Sequence, residues 1–165
     1  MNKLHFLISL IALFTVSQFA LGQTKHETYS NGRFGYTIQY PSDLLRIQPA
    51  PFNGDGRVFI SRDKNVEMRA WANFNATFLS VEGQFDEDVK NYRGITYKHL
   101  FNNSFVISGA QNGKVFYQKT LYHKFKETEV FYTFTIEYPK TQKSQFDAIV
   151  TRINSSFKFD PNAEP

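Results

Sequence analysis

The sequence has no cysteine, only one tryptophan and no internal repeat. The lack of cysteine excludes disulfide bonds, thiol nucleophiles and cysteine-ligated metal sites. A domain without disulfides must be stabilised by packing, and 18 Phe and 9 Tyr can supply the buried area. No two histidines have the spacing of an H-x-H or H-x-x-x-H metal site. We therefore expect neither a metal nor a cofactor.

The N-terminal segment 1–22 has the three-part pattern of a cleavable secretory signal peptide. Lys3 supplies the positive charge, residues 7–14 form the apolar centre, and small residues precede a predicted cut between Gly22 and Gln23. The apolar run is shorter than the roughly 20 residues that span a bilayer. We predict a periplasmic or secreted protein. No cysteine follows that could accept a lipid, so we expect no direct membrane anchor after cleavage.

Cleavage leaves 143 residues with a net charge of +3, which suits one domain with a mildly basic, mixed surface. The charge pattern shows no Lys/Arg patch, so nucleic acid is not an expected partner. We divide the mature chain into a flexible segment at 23–33, a single domain at 34–159 and a frayed tail at 160–165. The expected partner is an unknown protein or small molecule of the cell envelope.

Hydrophobic periodicity predicts the order of the elements. Alternating residues indicate strands, the pair Asn112–Gly113 is a strong hairpin signal, and spacings of three and four indicate two helices. The predicted strands are 36–41, 44–47, 57–61, 66–74, 95–101, 104–109, 114–124 and 129–138, and the predicted helices are 77–93 and 141–155. This order of strands, helix, four-strand meander and helix indicates an α+β fold, in which helices pack on an antiparallel sheet.

Two parts of the sequence resemble the PsbP-like family. One is the opening Phe34-Gly35-Tyr36-Thr37-Ile38-Gln39-Tyr40-Pro41. The other is the closing pair of an aromatic strand ending at Pro139 and a helix ending near Phe157. The fold of this family is shared by a Ran-binding nuclear import factor and several bacterial envelope proteins. The resemblance implies an α/β/α sandwich and an accessory or binding role, but neither photosystem nor Ran binding, since nothing here indicates photosynthesis and an exported chain would not meet Ran.

Two features qualify as a candidate ligand or partner surface. The loop Asn53-Gly54-Asp55-Gly56 combines oxygen ligands with flexible glycines and leads into Arg57. Arg69 and the single Trp71 share the polar face of the following strand, and these two residue types are enriched at binding hot spots. The competing interpretations are a tight turn at Asp55 and a Trp71 covered by a helix with Arg69 lying across it.

Other patterns give weaker indications. The acidic run at 86–88 is interpreted as a solvated helix face, and no G-x-S-x-G motif marks a nucleophile. The main hypothesis is therefore an exported, non-enzymatic accessory or binding protein. Two alternatives stay open, namely a small envelope hydrolase or metal-dependent enzyme that uses scattered histidines and carboxylates, and a structural surface protein.

Overall fold

The computed structural model describes residues 24–165, so the predicted signal peptide at 1–22 lies outside the described residues. It contains ten strands, two α-helices and one short 3-10 turn at Lys140–Gln142. The elements are β1 (His26–Asn31), β2 (Tyr36–Pro41), β3 (Leu45–Ile47), β4 (Gly56–Ser61), β5 (Glu67–Phe74), α1 (Val81–Lys90), β6 (Ile95–Phe101), β7 (Ser104–Gln111), β8 (Lys114–Lys124), β9 (Glu129–Pro139), α2 (Lys143–Ser156) and β10 (Lys158–Phe159). Neither helix of this part of the chain is long and apolar enough to cross a membrane.

Seven strands form an antiparallel sheet in the order β3-β4-β5-β9-β8-β7-β6, and β1, β2 and β10 form a second, smaller sheet. The hairpin between β7 and β8 turns through Asn112 and Gly113, which both have positive φ angles of 51° and 77°. That conformation matches the twist of the flanking strands. The predicted α+β class and the predicted order of elements are confirmed.

The main core lies between the large sheet, α2 and the small sheet. Strand β9 points every second residue from Val130 to Tyr138 into this core, and α2 adds Phe146, Ile149, Val150 and Ile153. Aromatic rings interlock here, with Tyr36 and Tyr132 in edge contact at 6.0 Å between centroids. We call the sheet face that lines this core the inner face.

The opposite, outer face of the sheet is covered by α1 over the strands β6 to β8. Among the described hydrophobic residues of these strands, Phe105, Ile107 and Phe116 are buried there, and Phe85 and Tyr92 from the helix side pack on them. Helices thus cover both faces of the sheet, as the sequence predicted. The cover by α1 is thin, because no residue of α1 itself is buried.

Helix α1 starts later than predicted. Ser80, not Thr77, is its N-cap, and the Ser80 side chain accepts a hydrogen bond from the backbone of Gly83. The buried side chain of Asn75 bonds both backbone groups of Leu79 and so holds the preceding residues in a turn. Residues 77–80 are therefore not helical. Phe78, which the predicted helix would have placed on its apolar face, is exposed.

Both ends of the described range 24–165 are more ordered than predicted. The segment 23–33 was expected to be flexible, but β1 pairs with β2 over six residues. The tail 160–165 was expected to be frayed, yet Glu164 accepts hydrogen bonds from Glu127 and Thr128, and Asp160 donates to Gly35. These pairings join residues far apart in the sequence, so local patterns do not reveal them.

Candidate functional site

A groove of about 380 Å³ opens on the outer face of the sheet where β4 meets β5. One wall is the proline-containing loop at 49–51, and the other is the strand face that carries Arg69 and Trp71. Asp55 and Arg57 also line the groove, so the four predicted residues lie around it, although the side chain of Arg57 has the parity of the inner face. Helix α1 packs on the opposite half of the sheet, which leaves this half open.

Gly56 sets the width of this groove. It lies directly opposite Trp71 in the β4–β5 hairpin. A Cβ atom at Gly56 would come within 2.7 Å of the Trp71 Cβ and 2.2 Å of the Ala70 carbonyl oxygen. No side chain fits there, so the glycine allows the loop to approach the indole closely.

Buried hydrogen bonds fix the position of the loop against the sheet. The backbone carbonyl of Asp55 accepts from the backbone of Ala72 at 3.1 Å and from the Tyr36 hydroxyl at 3.2 Å. The same hydroxyl lies 3.0 Å from the Ala70 carbonyl oxygen. Burial raises the pKa of Tyr36 far above its usual value, so it remains a neutral donor. Tyr36, a residue of the main core, therefore links the loop of the groove to that core by hydrogen bonding.

The charged groups at the groove stay accessible. The Arg69 side chain is 57% exposed, and its guanidinium pairs with Glu67 at 2.5 Å. The Asp55 carboxylate accepts a bond from the Asn53 side chain at 2.6 Å. Both interactions lie at the exposed surface, so a ligand can replace them at small cost. The groove thus offers an aromatic platform with a donor and an acceptor group near it.

The side chain of Arg57 does not join this face. Arg57 lies opposite Ala70 and Val58 opposite Arg69 in the hairpin register, so Arg57 has the parity of the inner face. Its guanidinium lies 5.5 Å from the centre of the Tyr29 ring and donates to the Gly56 carbonyl at 3.1 Å. Successive strand residues point to opposite faces, so the side chain of Arg57 packs on the side of the strand that faces away from the groove.

A buried polar network lies beside the groove, beneath α1. Thr133 stands directly opposite Trp71 on the neighbouring strand, and its hydroxyl lies 3.0 Å from that of Thr120. Gln118 donates to Thr120 at 3.1 Å and to the Asp88 carboxylate at 2.5 Å. Burial raises the pKa of Asp88. The prediction that 86–88 forms a solvated face is therefore wrong for Asp88.

The sequence contains a signal for this network, although the predictions missed it. Gln118 and Thr120 stand between the aromatic residues Phe116 and Tyr122 at alternate positions of one strand. Polar side chains on a face that a helix covers must find partners there. The structure shows that the acidic run of the helix supplies one of these partners, Asp88.

The histidines of the described chain are dispersed over the fold. His26 lies on β1, His99 on β6 and His123 on β8. Within residues 24–165, no group of three or more His, Asp or Glu side chains is arranged to hold a metal ion. His123 instead packs between the rings of Phe125 and Phe159.

Comparison with solved structures identifies the fold. The chain is similar to the cyanobacterial PsbP protein of Synechocystis, with a TM-score of 0.57, 11% identity and coverage of 86% of this chain and 96% of that one. The fold is PsbP-like. LpqN, involved in cell envelope biogenesis in Mycobacterium tuberculosis, matches with a TM-score of 0.54, 14% identity and coverage of 83% and 91%.

The same architecture occurs in the Ran-binding protein Mog1p of Saccharomyces cerevisiae. That match has a TM-score of 0.50, 8% identity and coverage of 83% of this chain and 96% of the other. No protein-family model and no curated protein matches the sequence. At these identities the similarity concerns the fold, and the PsbP-like resemblance noted in the sequence is confirmed at that level.

Proposed function

We propose that this protein is an exported, non-enzymatic accessory protein that binds an envelope component in the groove at Asp55, Arg69 and Trp71. The observation that carries the proposal is the groove itself, which joins the only tryptophan of the chain to an accessible guanidinium on an open sheet face. Its volume of about 380 Å³ falls within the range of small-ligand pockets, roughly 300–1,000 Å³.

The chemistry of the groove favours a ligand with both an apolar face and polar edges. Trp71, Pro49 and Pro51 provide the apolar contacts, and Arg69 and Asp55 provide a donor and an acceptor of hydrogen bonds. A side chain of a partner protein and a small envelope molecule share this chemistry. In support of a binding role, one protein of similar structure is Ran-binding and another is involved in envelope biogenesis.

Trp71 makes the proposal directly measurable. It is the only tryptophan in the chain, so its fluorescence reports on the groove alone. The mature protein is titrated with two fractions of an envelope extract from the source organism, one of proteins and one of small molecules. We expect one fraction to shift the Trp71 emission in a saturable way.

Variants assign the signal to the groove. Arg69→Ala removes an exposed residue of a type that is enriched at binding hot spots, and we expect about tenfold weaker binding with an unchanged fold, corresponding to about 1.4 kcal/mol. Arg62→Gln is the matched control, because Arg62 is exposed on the turn between β4 and β5, outside the groove lining. If neither fraction changes the emission, or if Arg69→Ala binds as well as Arg62→Gln, the groove is not the binding site.

Export is tested separately. We expect N-terminal sequencing of the protein isolated from its native envelope or medium to start at Gln23. A native protein that starts at Met1 and remains in the cytoplasm would overturn the proposed location.

A further inference from the structure

Strand β6 forms the longest open edge of the large sheet. It ends the sheet after β7 and spans seven residues, whereas the opposite edge strand β3 spans only three. An edge strand presents backbone N–H and C=O groups without strand partners, and another strand can pair with them. The short length of β3 limits the pairing of a further strand at that edge, whereas the seven residues of β6 leave room for it.

The side chains of β6 give the monomer little packing. None of its seven residues is buried. Tyr97 and Phe101 are about half exposed on the inner face at 53% and 49%, and Leu100 is 36% exposed on the outer face. These are three of the seven large hydrophobic side chains that are exposed within residues 24–165. Apolar residues grouped in this way indicate an interaction site.

Charge is strongly segregated along the chain, although the overall composition indicated an even spread. No Asp or Glu occurs from Val89 to Lys126, and this stretch contains seven Lys and Arg residues. The remainder of residues 24–165 contains 11 basic and 15 acidic residues. Three of the seven pair with carboxylates that flank the stretch, and the four without a described ion pair are Arg93, Lys98, Lys114 and Lys119. These four give the region of strands β6, β7 and β8, which we call the basic arm, a net positive charge.

The two faces of this arm differ in their acidic neighbours. On the outer face, α1 brings its carboxylates, and the Lys98 ammonium lies over the Phe85 ring at 5.8 Å. On the inner face, His99, Val106 and Lys119 form one row across three strands. Helix α2, which packs on this face, contains one acidic residue, Asp147, and Lys143 pairs with it at 2.8 Å.

Lys119 is the unsatisfied charge of this face. It is half-buried, and burial lowers its pKa. Its ammonium reaches only the Asn154 carbonyl oxygen, at 3.4 Å, and it has no ion pair among the described residues. A cation that is partly removed from water without an anionic partner is stabilised when an anion binds nearby.

We propose that β6 is a docking edge for an extended acidic segment of a partner protein, which adds to the sheet as a further antiparallel strand. The backbone edge selects a peptide over a lipid or a nucleic acid, because only a peptide supplies matching N–H and C=O groups. The basic arm selects an acidic segment. This surface is separate from the groove at Trp71.

The pleat of the sheet determines the side-chain pattern of the partner. A residue opposite His99 lies on the inner face, so an acidic side chain there lies beside His99. Lys119 lies in the same row, about three strand spacings or roughly 14 Å away, and adds a longer-range attraction. Residues two positions away in either direction lie opposite Tyr97 and Phe101, where apolar side chains fit. The preferred segment thus alternates as apolar, acidic and apolar at every second residue.

The test uses three synthetic peptides with blocked ends and the mature protein labelled for NMR. The first peptide, TVTETVT, has the proposed pattern, the second, TVTKTVT, reverses the central charge, and the third, TVPEPVT, keeps the charge but cannot form a strand. We expect the first to bind, with slowed amide exchange in β6. The other two should bind at least about tenfold more weakly.

Variants of the protein distinguish the edge from general charge attraction. We expect Lys119→Gln to weaken binding of TVTETVT about threefold and His99→Glu at least about tenfold, whereas Arg62→Gln leaves it unchanged. Equal binding of the three peptides, no binding of the first, or protection outside β6 would overturn the proposal. Competition by anionic vesicles or single-stranded DNA would also overturn it. In that case the competitor displaces the peptide and loses as much affinity on His99→Glu, which would assign the basic arm to lipid or nucleic acid.

Discussion

The two helices cover opposite faces of one sheet, but the layers beneath them differ in composition. The layer between the sheet and α2 belongs to a cluster of 22 buried hydrophobic residues, whereas the layer beneath α1 encloses three. The layer beneath α1 instead contains the polar chain from Asp88 to Thr133. The groove lies on the same face as α1, and the open edge lies at its border. We infer that the layer beneath α2 provides most of the stability, whereas the groove and the open edge, which are the two proposed binding surfaces, lie outside that layer.

The largest effect is expected from the layer under α2. Phe134 is fully buried and contacts the rings of Tyr117 and Phe157. Phe134→Ala leaves a cavity that the close-packed core cannot fill, so we expect a loss of about 3–5 kcal/mol in the free energy of unfolding. Chemical denaturation measures it, with the fully exposed Phe52→Ala as control. Similar losses for both variants would contradict the assignment of stability to this core.

The next effect concerns the contact between groove and core. Gly56→Ala forces a Cβ atom against the Ala70 carbonyl and Trp71. We expect a loss of about 1–3 kcal/mol and a changed Trp71 emission. Gly32→Ala is the matched control, because a Cβ atom there meets nothing within 4 Å. An unchanged emission in a stable Gly56→Ala protein would mean that the hairpin does not position the indole.

The polar layer under α1 should respond to loss of its carboxylate. Asp88→Ala leaves the Gln84 and Gln118 amides without their acceptor, so we expect a loss of about 1–3 kcal/mol. Hydrogen exchange should show faster opening of α1 than of α2. Asp86→Ala, at an exposed position of the same helix, should change stability little.

The pH dependence of Asp88 gives a smaller and separable effect. Its pKa is raised in the folded protein, so protonation favours folding. The contribution of Asp88 to stability is therefore complete below its unfolded pKa, near 3.8, and is lost as the pH rises through the higher folded value. We expect Asp88→Asn to remove this dependence in denaturation curves taken across that range. An identical pH profile for Asp88→Asn and the natural protein would show that the carboxyl is not buried.

The smallest effect is expected at the open edge. Phe101→Ser removes a half-exposed ring, so we expect the free energy of unfolding to change by less than about 0.5 kcal/mol. Binding of the acidic strand peptide should nevertheless weaken. Thermal denaturation and peptide titration of the same sample check the two parts. A large loss of stability would place Phe101 in the core layer instead of the interaction surface.

Local patterns predicted most of the fold. The meander from Ile95 to Pro139 and helix α2 follow from alternation, from Asn112–Gly113 and from a regular apolar stripe, because these signals depend on neighbouring residues alone. Strand β1 has no such signal. Its sequence HETYSN is polar, and it is a strand because β2 offers a partner. The C-terminal tail at 160–165 is likewise ordered by hydrogen bonds to residues that are distant in the sequence.

The groove was predictable to a lesser extent. Asp55, Arg69 and Trp71 border one groove, because the β4–β5 hairpin places the end of the loop beside the second strand, and their role as a binding surface stays a prediction. The side of Arg57 depends on the register, and a shift of one residue reverses it. The partners of Asp88 required knowledge of which strands lie under α1, since Gln118 is 30 residues away.

If the protein is exported as proposed, the position of strand β1 constrains the order of events. If the chain is cut between Gly22 and Gln23, only three residues separate the cut from His26, and they reach about 10 Å when extended. A peptidase that needs an extended substrate at the membrane has little room once β1 has paired with β2. Processing should then precede the docking of β1, so that release from the membrane and closure of the small sheet are consecutive steps of one maturation.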